Sequence, residues 1–139
     1  MAEHSYSLTI KWTGNKGTRT RSYKTYDRSH SILMEGKPEL HCSSDASYRG
    51  DKTRYTPEDL LVASISGCHM LWYLHLCSEN GIIVTDYIDN AKGTMVVESD
   101  GSGHFSNVTL YPEITITKKA RIIANLEGIR NIQPTMGRS

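Results

Sequence analysis

Neither sign of charge dominates this sequence: 16 Lys and Arg stand against 15 Asp and Glu, a formal net charge of +1 over 139 residues. That balance argues against the large basic face on which nucleic-acid or anionic-membrane binding rests. Apolar residues are also few, at 37% with a mean hydropathy of −0.46. Either the core is small or part of it comes from another subunit. Three cysteines, an odd number, do not suit a disulfide framework, and the N-terminal Met1–Ser5 is polar rather than leader-like. The expectation is therefore a single domain over residues 1–139 in a reducing cytoplasm. In that compartment a cysteine is buried and inert, bound to metal, or reactive.

Several signatures are missing. There is no phosphate-binding loop, no dinucleotide fingerprint, no internal repeat, and no Gly-x-Ser-x-Gly elbow around Ser64 or Ser66. Cys-x-x-Cys and His-x-x-x-His pairs are absent as well. Neighbours such as Cys68 and His69 point about 100° apart on a helix and do not converge on one ion. No metal and no cofactor are expected.

What is present alternates between strand and helix patterns. Tyr6, Leu8, Ile10 and Trp12 alternate with polar residues, the period of a half-buried strand. A turn at Gly14–Gly17 predicts a return strand through Tyr26, followed by the short apolar runs Ile32–Met34 and Leu40–Cys42. Thr56-Pro57-Glu58-Asp59 combines a capping hydroxyl, a first-position proline and first-turn acids. No charged residue follows from Leu60 to Ser78, and Asn80-Gly81 stops the helix. A helix over 57–80 would be about 36 Å long. His69, His75, Ser64, Ser66, Gly67 and Ser78 argue against a membrane span. A helix apolar nearly all round is instead one buried on several sides, by sheet and by a second subunit. Strand patterns resume after Gly81, with a hairpin turn at Ser99–Gly103 and a bend at Pro112; residues 120–129 read as a short helix.

Cys68 sits mid-helix beside Gly67, ten residues after Glu58. Ten residues are about three turns, so the two side chains meet only where other segments converge. A mid-helix thiol also lacks the helix N-terminus as a source of positive potential, and an arginine is the natural alternative. On residue type alone, Cys68 also reads as a small packing residue. Cys77 falls on the opposite helix face, out of disulfide range of Cys68, and reads as core; Cys42 reads as a core or edge thiol.

The run Thr56-Pro-Glu-Asp-Leu-Leu-Val-Ala-Ser-Ile-Ser-Gly-Cys68-His69, with the flanking segments Ser44–Asp51 and Met70–Cys77, resembles the OsmC/Ohr family of thiol peroxidases. The resemblance covers about residues 5–117 and leaves residues 118–139 atypical. It implies an α+β fold in which two chains form an intertwined homodimer, long central helices wrapped by antiparallel sheets. It also implies an antioxidant, stress-response activity, the reduction of organic hydroperoxides by a reactive cysteine that becomes a sulfenic acid. By that resemblance Cys68 is the peroxidatic residue, Glu58 orients an arginine, and Arg49 is that arginine, with Arg28 in reserve and Arg19 behind it. Tyr55, Ile65, Leu71 and Trp72 would line an apolar substrate pocket. The partners implied are a second copy, an organic hydroperoxide, and a dithiol or small-thiol reductant, with no nucleic acid and no membrane. The family's resolving cysteine has no counterpart, because no cysteine follows Cys77. That departure leaves an alternative open: a non-catalytic or peroxide-sensing dimer that binds an apolar ligand.

Overall fold

The computed structural model describes residues 2–117; the expected helix at 120–129 and the tail after it lie outside them. The chain divides into two compact units, with the boundary between Leu60 and Leu61.

In the first unit β1 (Thr9–Trp12), β2 (His30–Leu33) and β3 (Leu40–Cys42) form an antiparallel sheet in the order β1-β2-β3. Ile10 faces Ile32 across the first pair and Ile32 faces Leu40 across the second. The expected return strand through Tyr26 is not formed: residues 17–26 are turns and bends, and the pairing strand begins at His30. The cause is local. Asn15 Oδ1 accepts from the backbone N–H groups of Gly17 and Arg19, and the Thr18 hydroxyl donates to the Thr25 carbonyl. The Thr25 hydroxyl donates to the Ser22 carbonyl. Short polar side chains thus satisfy the backbone groups a strand ladder would have used. After β3, a 3-10 turn at Ala46–Tyr48 is capped by Asp45, whose carboxylate accepts from the Ser47 backbone N–H.

The second unit contains most of α1 (Pro57–Glu79) and two antiparallel strand pairs. β4 (Val84–Asp89) pairs with β7 (Pro112–Ile116), and β5 (Lys92–Val97) pairs with β6 (Gly103–Thr109). The helix begins and ends where its sequence signals place it. Thr56 Oγ1 accepts from the Asp59 N–H at 3.1 Å while the Asp59 carboxylate accepts from the Thr56 N–H at 2.9 Å, a reciprocal cap with aspartate as the acid. At the other end Gly81 takes φ 69°, and the Ile82 and Gly81 N–H groups reach back to the carbonyls of Cys77 and Ser78. This is the Schellman arrangement, and Ile82 packs with Cys77 across it.

Two small apolar clusters hold this unit. Tyr73, Cys77 and Ile82 pack with Leu76, Val84, Tyr87, Ile114 and Ile116. Phe105, Val108 and Leu110 pack with Leu61, Val62, Ile65 and Ala91. A polar clasp accompanies them: the Asp89 carboxylate accepts from the Ser66 hydroxyl at 2.6 Å and from the Tyr111 N–H at 2.7 Å. It ties the helix to the end of β4 and to the β6–β7 connection. Asp89→Ala removes the acceptor of both donors, and the expected loss of stability is about 1–2 kcal/mol in a urea titration, because water can replace the bond to the exposed Tyr111 N–H.

The rest of α1 is poorly covered within one chain. Leu71 is 65% and Trp72 55% exposed. By length and composition the helix could also cross a membrane, yet its ends are tied into turns and its other faces pack on strands of its own chain.

Candidate active site

Cys68 projects from the middle of α1 and is exposed, whereas Cys42 and Cys77 are buried. Turning about 100° per residue puts Leu71, Trp72 and His75 on the same side of the helix as Cys68. The Trp72 and His75 rings stack with centroids 5.3 Å apart, and His75 Nε2 lies 3.9 Å from a Glu79 carboxylate oxygen. The face beside it is occupied differently. His69 Nδ1 lies 3.1 Å from the Tyr87 hydroxyl, and the His69 ring stacks on Tyr73. With Ser66 held by Asp89, these contacts fix the rotation of the helix and leave Cys68 on its outward side.

Burial separates the three thiols. It pushes the Cys77 thiol up, and it pushes the Cys42 thiol up against the opposing pull of the Arg54 guanidinium. The thiolate is the nucleophile, so both are suppressed by the cost of burying a charge. Iodoacetamide at neutral pH is therefore expected to alkylate Cys68 in the folded protein, with Cys42 and Cys77 modified only after unfolding. Peptide mass spectrometry reads this directly, and faster labelling of Cys42 than of Cys68 would contradict it.

The residues expected to assist are spread along the chain. Glu58 is half-buried in the first turn of α1, and among the described residues no ion pair joins it to an arginine. Arg28 is enclosed by its own loop. Its Nη1 and Nη2 donate to the carbonyls of Tyr26 (2.5 Å) and Tyr23 (2.7 Å), and the guanidinium lies 3.8 Å and 4.3 Å from the centres of those two rings. Arg49 is exposed and closes the 3-10 turn in a left-handed conformation, φ 64° and ψ 27°, with its N–H on the Ala46 carbonyl. Its side chain has no hydrogen-bond or ion-pair partner among the described residues. An arginine in a conformation that favours glycine costs about 1 kcal/mol. Arg19 is also left-handed, at φ 58°.

Of the expected pocket residues, Ile65 packs into the Phe105 cluster, while Leu71 and Trp72 stand exposed on α1. Tyr55 is exposed, and its backbone carbonyl accepts from the Ser43 N–H. No group of His, Cys, Asp and Glu suited to a metal ion occurs among the described residues.

Three features escape a reading of the sequence. The Asp89 clasp joins residues 23 positions apart, and His69 meets Tyr87 across 18; no local pattern reports such pairs. The third is a cavity of about 210 Å³ lined by Asp27, Arg28, Ser29, Ser43, Arg49, Gly50 and Asp51. The only sequence trace of it is a charged residue beside a serine or glycine in each of two loops.

A model of the OsmC family, described as OsmC-like protein, matches residues 50–128. The chain belongs to the OsmC family. Among solved structures, an OsmC-like protein of unknown function from Vibrio cholerae superposes with a TM-score of 0.77 at 24% identity, covering 94% of this chain and 86% of that one. An OsmC-like protein from Mycoplasma pneumoniae gives 0.62 at 13% identity, covering 85% and 74%. At these identities the likeness is one of fold, and it bears out the expected mixture of helix and antiparallel sheet. A comparison with curated proteins found no match. The OsmC family includes peroxidase-type members.

The half-buried Tyr87 gives this unit an alkaline limit. Burial, helped by the Asp89 charge and by Tyr73, pushes its hydroxyl up from 10.0 to about 12. The unfolded chain releases this proton near pH 10, while the folded chain holds it to about pH 12. The contribution is complete below pH 10 and is lost as pH rises through that window. Tyr87→Phe should remove this part of the alkaline loss in urea titrations at pH 9 and 11, and an unchanged pH slope would refute the assignment.

Proposed function

We propose that the protein reduces organic hydroperoxides through Cys68. The observation that carries this reading is the contrast among the thiols: the cysteine at the family's reactive position is exposed, and the other two are buried. In the reaction the Cys68 thiolate attacks the outer oxygen of R–O–OH. The S–O bond forms as the O–O bond breaks, the alkoxide leaves and takes a proton, and the products are ROH and Cys68 sulfenic acid. Sulfur loses two electrons and the peroxide gains them. A thiol then condenses with the sulfenic acid, releasing water and leaving a mixed disulfide, and a second thiol returns Cys68 to its reduced form. Cys42 and Cys77 are buried, and in this reading an external dithiol or small thiol supplies both equivalents.

A cation beside the sulfur favours the thiolate and stabilises the departing alkoxide. Arg49 is our choice for this role, because its guanidinium is uncommitted while that of Arg28 is held by two carbonyls and two rings. Glu58 is the carboxylate proposed to orient it. Steady-state turnover of cumene hydroperoxide with dithiothreitol should fall by about 10–100-fold in Arg49→Gln, while the same change at Arg21 has no effect. Equal losses in both variants would remove Arg49 from the mechanism.

We place the exposed Leu71 and Trp72 side chains against a second copy of the chain, in a contact that leaves Cys68 at its edge and open to substrate, since an apolar surface of this kind on a long helix is characteristic of an interface. Sedimentation equilibrium should give a dimer for the native protein and a monomer for Trp72→Arg. The absence of any cysteine after Cys77 favours one second reading, a dimer that binds an apolar ligand without turnover. Peroxide consumption that depends on Cys68 would exclude it.

A further inference from the structure

We propose that the cavity between the Asp27–Ser29 and Ser43–Asp51 segments binds a small monocarboxylate, held by Arg49 and Arg28. The inference shares Arg49 with the peroxidase reading but does not rest on it, because Cys68 and Glu58 are not among the lining residues.

The charges lining the cavity are unequally compensated. Asp27 pairs with Lys16 at 3.1 Å. Asp51 accepts from the Thr53 hydroxyl at 2.6 Å and the Thr53 N–H at 2.9 Å, with Arg54 at 3.7 Å. Both carboxylates therefore have partners outside the cavity's set of residues. Neither cation has a charged partner among the described residues. The hydrogen-bond and ring partners of Arg28 are uncharged, so its full positive charge remains, along with three of its five N–H donors. The Arg49 side chain has no partner among the described residues. Ser43 is 1% exposed, and its Oγ accepts from the Asp51 N–H, which leaves the hydroxyl proton free to donate. Two unneutralised guanidinium groups and a buried hydroxyl form a donor set for an oxyanion.

Size and charge narrow the class. A volume of about 210 Å³ lies below the ~300–1,000 Å³ of drug-sized ligand sites, so the ligand is small. Asp27 and Asp51 share the lining and would repel a dianion more strongly than a monoanion. That favours a carboxylate over hydrogen phosphate. The site is also shaped in advance. A Cβ on Gly50 would lie 1.7 Å from the Ser44 carbonyl oxygen, so this loop closes only with glycine there.

The test is a titration of the ¹⁵N-labelled full chain with sodium acetate at constant ionic strength, following the arginine side-chain N–H signals. Acetate should produce a saturable shift in the Arg49 and Arg28 signals, and Arg49→Gln should weaken its binding by roughly tenfold or more. Arg21→Gln, an exposed cation outside the cavity, should bind as the native protein does. Phosphate at pH 8 should bind more weakly than acetate. Thermal unfolding confirms that Arg49→Gln remains folded. A non-saturable response, equal losses in the Arg49 and Arg21 variants, or tighter binding of phosphate would each overturn the proposal. Cys68→Ser should bind acetate normally, so failure here and failure of the peroxidase reading are separable.

Discussion

Replacing Cys68 by serine is expected to reduce cumene hydroperoxide turnover by on the order of 10³-fold or more, because a neutral hydroxyl replaces the exposed thiol to which the proposed attack is assigned. Serine is close to cysteine in size, and the position is exposed on α1, so stability should change by no more than about 0.5 kcal/mol. The same substitution at Cys77 should give the opposite result. Cys77 is 2% exposed among Tyr73 and Ile82, and a hydroxyl buried there without a partner costs about 1–3 kcal/mol while leaving the chemistry intact. The pair separates reactivity from packing. Equal activity losses in both variants would show that the Cys68 effect is structural.

Gly50→Ala is expected to produce the largest structural defect. The added methyl group would meet backbone, the Ser44 carbonyl carbon at 2.4 Å and its oxygen at 1.7 Å, with no flexible side chain to move aside. The Gly50 N–H also donates to the Asp45 carbonyl, which holds the same turn. Overpacking of this kind costs about 3 kcal/mol or forces the loop open. Since Gly50 follows Arg49 in the chain, hydroperoxide turnover should fall along with stability. Gly67→Ala, where nothing lies within 4 Å of the added atom, should instead be neutral or slightly stabilising. Urea midpoints for the two variants give the comparison, and a neutral Gly50→Ala would contradict the closed loop.

The helix was legible because every signal for it is local. Thr56, Pro57, Asp59 and Gly81 each act within one turn of a helix end, and the structure uses all of them. The β5–β6 hairpin was legible for the same reason: the Ser99–Gly103 segment closes it, with the Glu98 N–H on the Ser102 carbonyl. The strand expected through Tyr26 failed because β propensity in Thr and Tyr competes there with hydroxyl and amide groups that bond their own backbone. Cys68 and Glu58 were singled out by spacing and resemblance. The outward placement of Cys68 was not, because it depends on Asp89 and Tyr87 holding the neighbouring face of the helix from a distant strand. Nor was the difference between Arg28 and Arg49, which lies in what surrounds each guanidinium.

The most direct test of the central claim is to treat the reduced full chain with one equivalent of cumene hydroperoxide in the presence of dimedone and to map the adduct by peptide mass spectrometry. Dimedone is expected on Cys68, with one cumyl alcohol released per adduct and no label on Cys42 or Cys77. Peroxide consumption with Cys68 unlabelled, or label on Cys42 in its place, would contradict it.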